Sequence, residues 1–427
     1  MKKWLRIAGV FCTAAVFSLN FMKLPMPQGL PDRLYLQSGE AQVLQTGLPL
    51  QATLACTSDS TQVQVNGQAV EEEAMVDLSQ PLTITADGKG EAQLTFKVAG
   101  MTVRNMTLLI DQERTVQPGG QCVGVAMYTK GALVVGTGDI ANPDGTTTNP
   151  GTEAGIEPGD VIIAVNGQEV EDADHLGDLI TGSNTSIHMT ILRDGREQDV
   201  LVTPVQDAVD GKYRVGLWVR DSTAGIGTIT YTDPQNNTFA SLGHPISDVD
   251  TNENLLLKRG EIVPAEVMEV IKGEEGQPGE LCGAFVESGD ALGKILKNCD
   301  YGLYGKLYGS MTSTLYPDGL PLGWQSEVEP GPATILCTVD GQTVQEYTCE
   351  IVRATRQRRA AAKGMVVEIT DPRLLAATNG IVQGMSGSPL IQNGKLVGAV
   401  THVFVGDPHR GYAIYIEWML NESDNLS

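Results

Sequence analysis

The sequence predicts a mainly β, multidomain chain, and three observations carry that expectation. Glycine is abundant at 49 of 427 residues while aromatic residues make up only 5%. Val, Thr and Ile recur in short alternating runs, and these runs are separated by hairpin dipeptides such as Asn66-Gly67, Asn166-Gly167 and Asn393-Gly394. The length is also several times the ~150 residues of one domain, so two to four domains are expected. Charge narrows the function classes: 29 Lys and Arg face 52 Asp and Glu, a net charge of −23. A nucleic-acid partner is not expected, because neutralising phosphates needs clustered cations. The compact basic clusters are Lys2, Lys3, Arg6 and Arg356, Arg358, Arg359.

Residues 1–30 read as a signal or membrane anchor. Lys2, Lys3 and Arg6 precede an uncharged run from Ile7 to Met22, and two prolines, Pro25 and Pro27, then break the chain. That run spans about 24 Å as a helix, so crossing a ~30 Å core would also need Trp4 and Leu5. No small-x-small cleavage site follows, which favours an uncleaved anchor with the rest of the chain on the non-cytoplasmic face. Residues 31–110 alternate as short strands, Thr61 to Val65, Leu82 to Thr85 and Ala92 to Phe96, and suit a small β-sandwich. Nothing in them suggests chemistry. Cys282 with Cys299, or Cys337 with Cys349, could close disulfides outside the cytoplasm, and burial as free thiols fits equally.

Residues 111–207 carry Ala154-Gly-Ile-Glu-Pro-Gly-Asp-Val-Ile-Ile-Ala-Val-Asn-Gly, a helical stretch from Asp172 to Ile180, and a second hairpin at Asp194-Gly195. This pattern, centred on Gly159-Asp160-x-Ile162 and Val165-Asn166-Gly167, resembles a PDZ domain of bacterial envelope proteases. The resemblance implies a loop at Val123, Gly124, Val125 and Ala126 whose N–H groups receive a peptide C-terminus, with the peptide adding as a strand. His175 lies on the helix, where it could line the groove or be solvated.

Chemistry concentrates in residues 208–427. Gly384-Met-Ser386-Gly387-Ser-Pro precedes an apolar strand, the Asn393-Gly394 turn and a second strand. Glycines around a serine let the backbone turn sharply and expose Oγ. They also let the N–H groups of Gly384 and Ser386 converge where an oxyanion would form. The pattern resembles the nucleophile loop of chymotrypsin-like serine peptidases, so a β-barrel peptidase domain is expected here. A base is needed, and there are five histidines. His175 and His188 fall in the PDZ-like region, His409 in an exposed turn, and His402 at a strand end. His244, held between Gly243 and Pro245, is the candidate base, and activity is then expected to fall below roughly pH 6.5.

Further segments make the resemblance specific. Leu242-Gly243-His244-x-Ile246-Ser247-Asp248, Ile369-Thr370-Asp371-Pro372 and Gly380 to Pro389, together with the PDZ-like region, resemble the stage IV sporulation protein B (SpoIVB) peptidase family. The resemblance implies a serine endopeptidase with Ser386 as nucleophile, His244 as base and Asp371 as orienting acid. It implies no cofactor and no metal, a membrane-anchored or exported protein in the forespore intermembrane space, and a protein substrate that regulates an intramembrane metalloprotease. Cleavage would trigger sigma-factor precursor processing. Asp371 stands nearer the serine than the acid of chymotrypsin-like enzymes usually does, so Asp248 and Asp250 remain alternatives. An inactive PDZ adaptor is the competing reading, and a metalloenzyme using His244, His402 and His409 is a third that lacks any His-Glu-x-x-His.

Overall fold

The computed structural model describes residues 30–426, apart from residues 32, 59–60, 71–72, 111–113 and 287–289. The expected anchor in residues 1–30 thus lies outside the described residues, except for Leu30. Among the described residues, no helix is long and apolar enough to cross a membrane. The chain divides into two compact units, Met1–Gln112 and Glu113–Ser427.

The first unit is a two-sheet sandwich. One sheet runs Arg33–Leu36, Met101–Ile110, Gly90–Val98, Gln51–Ser58 and Glu73–Asp77 in spatial order, with only the first pair parallel. The other runs Ala41–Leu44, Leu82–Asp87, Gln62–Val65 and Gln68–Ala69. Period-2 alternation explains the packing: Leu82, Ile84 and Ala86 from one sheet meet Leu94, Phe96 and Val98 from the other. Asn66 and Gly67 turn the hairpin at φ 53° and 77°, the type I′ geometry their pairing predicts.

After a short strand at Thr115–Pro118, the second unit continues with β1 (Cys122–Thr137), β2 (Val161–Val165), α1 (Ala173–Thr181), β3 (Ile187–Arg193) and β4 (Arg196–Val202). It continues with β5 (Leu217–Asp233), β6 (Thr238–Ser241), β7 (Leu257–Ile271), β8 (Glu280–Phe285), β9 (Gly293–Cys299) and β10 (Gly302–Leu307). Then come β11 (Gly331–Cys337), β12 (Gln345–Ala354), β13 (Met365–Ile369) and α2 (Pro372–Thr378). The chain ends with β14 (Pro389–Gln392), β15 (Lys395–Phe404), β16 (Asp407–Tyr415) and α3 (Ile416–Asp424).

Two barrels result. In the first, β1, β7, β9, β10, β6 and β5 pair in sequence, and β5 pairs back onto β1 to close the ring. Val125, Met127, Ile229, Phe239, Ile262 and Leu303 fill it. The second is a closed barrel of β11, β12, β13, β16, β15 and β14, filled by Ile335, Ile351, Val367, Leu390 and Val400. Helix α3 buries Trp418, Met419 and Leu420 as part of the same cluster.

Between β1 and β5 sits the PDZ module. Its core joins Val134, Ile162, Leu176, Ile180, Met189 and Ile191. Asp172 caps α1 by accepting from His175 N–H at 2.8 Å, and Asp160 is buried in an ion pair with Arg193 at 2.6 Å. The linear division into PDZ residues 111–207 followed by peptidase residues 208–427 is therefore corrected. Residues 122–128 belong to the first barrel, so the PDZ module is an insertion within it. β1 and β5 each run through both modules, with an irregularity between Tyr128 and Leu133 where the module changes. All six described cysteines are free thiols, and neither candidate disulfide forms. Burial pushes the Cys349 thiol up to about 12.

Candidate active site

The cleft between the two barrels gathers the candidate residues. β6 runs into Leu242 and Gly243 at φ 68° and 70°, a reversal that brings the next residue, His244, to the cleft. A Cβ on Gly243 would come within 2.8 Å of Thr401 Cγ2, so the turn sits directly on the second barrel. The His244 Nδ1 lies 2.7 Å from Pro245 O. A carbonyl only accepts, so Nδ1 carries the proton and Nε2 keeps its lone pair. Burial lowers the pKa of this imidazole, and the Pro245 contact opposes that only in part.

The candidate nucleophile loop is clamped by β5. Thr228 N–H donates to Ser386 O at 3.2 Å, and the Thr228 and Thr230 hydroxyls donate to Gly384 O and Gly387 O, each at 2.8 Å. Gly384 and Gly387 take φ 93° and 95°. At Gly387 a Cβ would lie 2.1 Å from Thr228 O, so no side chain fits there. With these carbonyls turned to β5, the N–H groups of Gly384 and Ser386 make no hydrogen bond among the described residues. Both residues line a 330 Å³ cavity with His244, Gln383, Leu281 and Ile226. The Ser386 hydroxyl itself donates to Thr401 O at 2.9 Å and makes no bond to His244.

Asp371 is placed elsewhere. It caps α2, accepting from Arg373 N–H at 2.8 Å, from the Arg373 guanidinium at 2.8 Å and from Thr348 N–H at 3.2 Å. The hydrogen bonds from Arg373 hold its carboxyl at about 2. Neither oxygen bonds His244. The expectation of an Asp371–His244 pair is corrected because Pro372 starts a helix, and the residue before such a helix serves its N–H groups. Asp248 and Asp250 do not replace it. Asp248 is buried against the N–H groups of Asp250 and Thr251 and against Arg220, and Asp250 pairs with Arg220 at 2.9 Å. A backbone carbonyl thus orients His244 where a carboxylate was expected.

Sequence reasoning passed over His402, whose ring centroid lies 5.1 Å from that of His244. Its pKa is depressed to about 4, by desolvation first and then by His244 and Lys363, although its outer face meets solvent. The packing of the Gly243 turn of the first barrel on Thr401 of β15 brings the two rings together, so spacing held no signal.

The loop expected at Val123, Gly124, Val125 and Ala126 is also corrected. These residues pair with β5 on one side and β7 on the other, leaving no edge for a peptide. The groove lies instead between α1 and the start of β5, a 540 Å³ cavity lined by Leu176, Ile180, Tyr213, Gly216, Leu217 and Trp218. Gly216, at φ 72°, just before an apolar run was the sequence signal for it. His175 turns away from this groove toward Gln168 and the Glu171 N–H.

Residues 211–420 match the family model described as SpoIVB peptidase S55, and residues 149–193 match a PDZ domain model. Residues 211–420 thus form a domain of the SpoIVB peptidase family. The chain thus carries a peptidase-family domain together with a PDZ domain. It is also 28% identical over 126 residues to the candidate zinc metalloprotease mll0638 of Mesorhizobium japonicum. That match takes in 28% of the chain and 32% of the relative's length, so the chain spans about a third of it. Among the described residues, no group of three or more His, Cys, Asp or Glu side chains could hold a metal ion. The crystal structure of the active form of the Rv3671c protease from M. tuberculosis aligns with a TM-score of 0.30 and 13% identity, covering 48% of this chain and 75% of its own.

Proposed function

We propose that the chain is an exported serine endopeptidase in which Ser386 is the nucleophile and His244 the general base. The observation that carries this reading is one cleft holding a serine between two glycines, a neutral imidazole with a free Nε2, and two unpaired N–H groups. In the first step the Ser386 hydroxyl turns from Thr401 O to His244 Nε2, gives up its proton and attacks the scissile carbonyl. The N–H groups of Gly384 and Ser386 receive the oxyanion. His244 then protonates the leaving amine, and the acyl-enzyme is hydrolysed by water with the same imidazole as base. The Pro245 carbonyl holds the tautomer but carries no full charge, so it stabilises the imidazolium less than a carboxylate would.

The likeness to its family supports the finer reading: a substrate that regulates an intramembrane metalloprotease, acting between forespore and mother cell. One observation favours an inactive PDZ adaptor, namely the Ser386 bond to Thr401 O with no acid on His244. Purified wild type and Ser386→Ala, each incubated with a candidate regulator, separate the two. The proposal expects cleavage by the first alone, and absence of cleavage by both would favour the adaptor.

A further inference from the structure

β5 is one unbroken strand, Leu217–Asp233, that touches both cavities of the second unit. Leu217, Trp218 and Val219 line the PDZ groove, while Thr223, Ala224, Gly225 and Ile226 line the cleft with Ser386 and His244. One edge of the strand is used throughout by β1, which pairs with 222–228 and again with 217–220. The other edge is covered by β6 from Ile229 onward, and at Thr228 by the nucleophile loop. Over residues 217–226 no strand pairs with that edge among the described residues. Thr228 directs its N–H to Ser386 O, away from β1, so by strand alternation the N–H and C=O of 226, 224 and 222 face the same way. Ser222, Ala224 and Gly225 are exposed, as is Trp218 at 68%.

An uncovered edge is a template for another strand, and a PDZ groove supplies one whose terminal carboxylate rests at the turn leading into its strand. Here that turn is Val215 and Gly216, between the short strand Tyr213–Arg214 and β5. Helix α1 walls the groove, tied to the strand by the Ala173 N–H bond to Asp221 at 2.9 Å. An antiparallel chain that begins with its C-terminus at this turn runs back along β5, one residue per strand residue, toward Thr228. Residues 217–226 span roughly 30 Å.

We infer that groove and cleft are one binding site for a single extended substrate segment with a free C-terminus. Its last residues lie against α1, and its scissile bond meets Ser386 about nine residues upstream. The PDZ module then acts as a ruler from the substrate terminus. The inference rests on the serine peptidase reading above.

The test uses the full chain and a pool of unstructured synthetic peptides of varied sequence, each made as free acid and as C-terminal amide, with products read by mass spectrometry. Free acids should be cut in a cluster that releases C-terminal fragments of about eight to ten residues. The amides should lose that cluster and be cut at least about tenfold more slowly, as removing one charge-assisted contact implies. Ala224→Pro deletes an N–H on the free edge without touching a bond to β1, and it should also lose the cluster. Clusters in the amides or in Ala224→Pro, or none in the free acids, would overturn the inference. Cleavage by Ser386→Ala would instead overturn the serine reading. Binding gives an independent readout: with Ser386→Ala, a free-acid peptide of about fifteen residues should slow amide hydrogen exchange at 222–226, whereas one of about five should not reach it. Unchanged exchange at 222–226 with the longer peptide would also overturn the inference.

Discussion

The His244 imidazole is held neutral by burial, and this sets the pH behaviour of the site. A base whose pKa lies below the usual 6.5 keeps its lone pair as the solution becomes acidic. The acid limb of kcat/KM is therefore expected below pH 6.5, not at it, which a pH–rate profile measures. The same sign governs stability. The unfolded chain binds protons at His244 and His402 before the folded one does, so stability should fall as pH drops from about 6.5 toward the about 4 of His402. Asp371→Asn keeps a competent helix cap and should change turnover only a few-fold, whereas Asp371→Ala should lower stability by about 1 kcal/mol, as read by denaturant titration. Ser386 and His244, which the fold brings to one cleft, stood out in the sequence because each sits in a local backbone device, Gly-x-Ser-Gly and Gly-His-Pro. Asp371 misled because an Asp before a proline suits an orienting acid and a helix cap alike, and only the partners of its carboxylate separate the two.

At the scale of elements, the junction of β5 with the nucleophile loop is the part least able to change. Gly387→Ala would place a methyl group against Thr228 O and the Leu242 N–H, at a backbone angle that disfavours a side chain. It should displace Ser386 and remove most activity even where circular dichroism shows a folded protein. A buried pairing ties β5 to α3: Arg114 meets Asp233 at 2.5 Å and Asp424 at 2.6 Å, with both carboxylates fully covered. Arg114→Ala would leave two buried carboxylates without that cation and should cost about 3–5 kcal/mol in a denaturant titration. Hairpins were the most legible elements. The Asn166-Gly167, Asp194-Gly195 and Asn393-Gly394 turns all take the positive φ pairs expected of them. The long strands β1 and β5 were not legible, because each crosses from one module to another and its burial pattern changes on the way.

Across the whole molecule, the β-rich class and the sandwich followed from composition and strand alternation, and the PDZ and peptidase modules from motifs and the resemblance they carry, but the nesting of the last two did not. Insertion depends on which strands pair at long range, and local periodicity does not record that. The consequence for engineering is specific. Removing residues 112–207 would take β1 out of a closed barrel and should abolish folding. Replacing residues 138–216 by an Asn-Gly turn joins Thr137 to Leu217, which already face each other, and should leave both barrels folded, as checked by thermal melting. The central claim is that two barrels meet to activate Ser386. It is tested most directly by reacting the purified chain with a fluorophosphonate probe and locating the adduct by peptide mass spectrometry. The account predicts a single phosphonylated residue, Ser386, with no labelling in Ser386→Ala or in heat-unfolded protein. Labelling at another serine, or undiminished labelling of the Ser386→Ala variant, would contradict it.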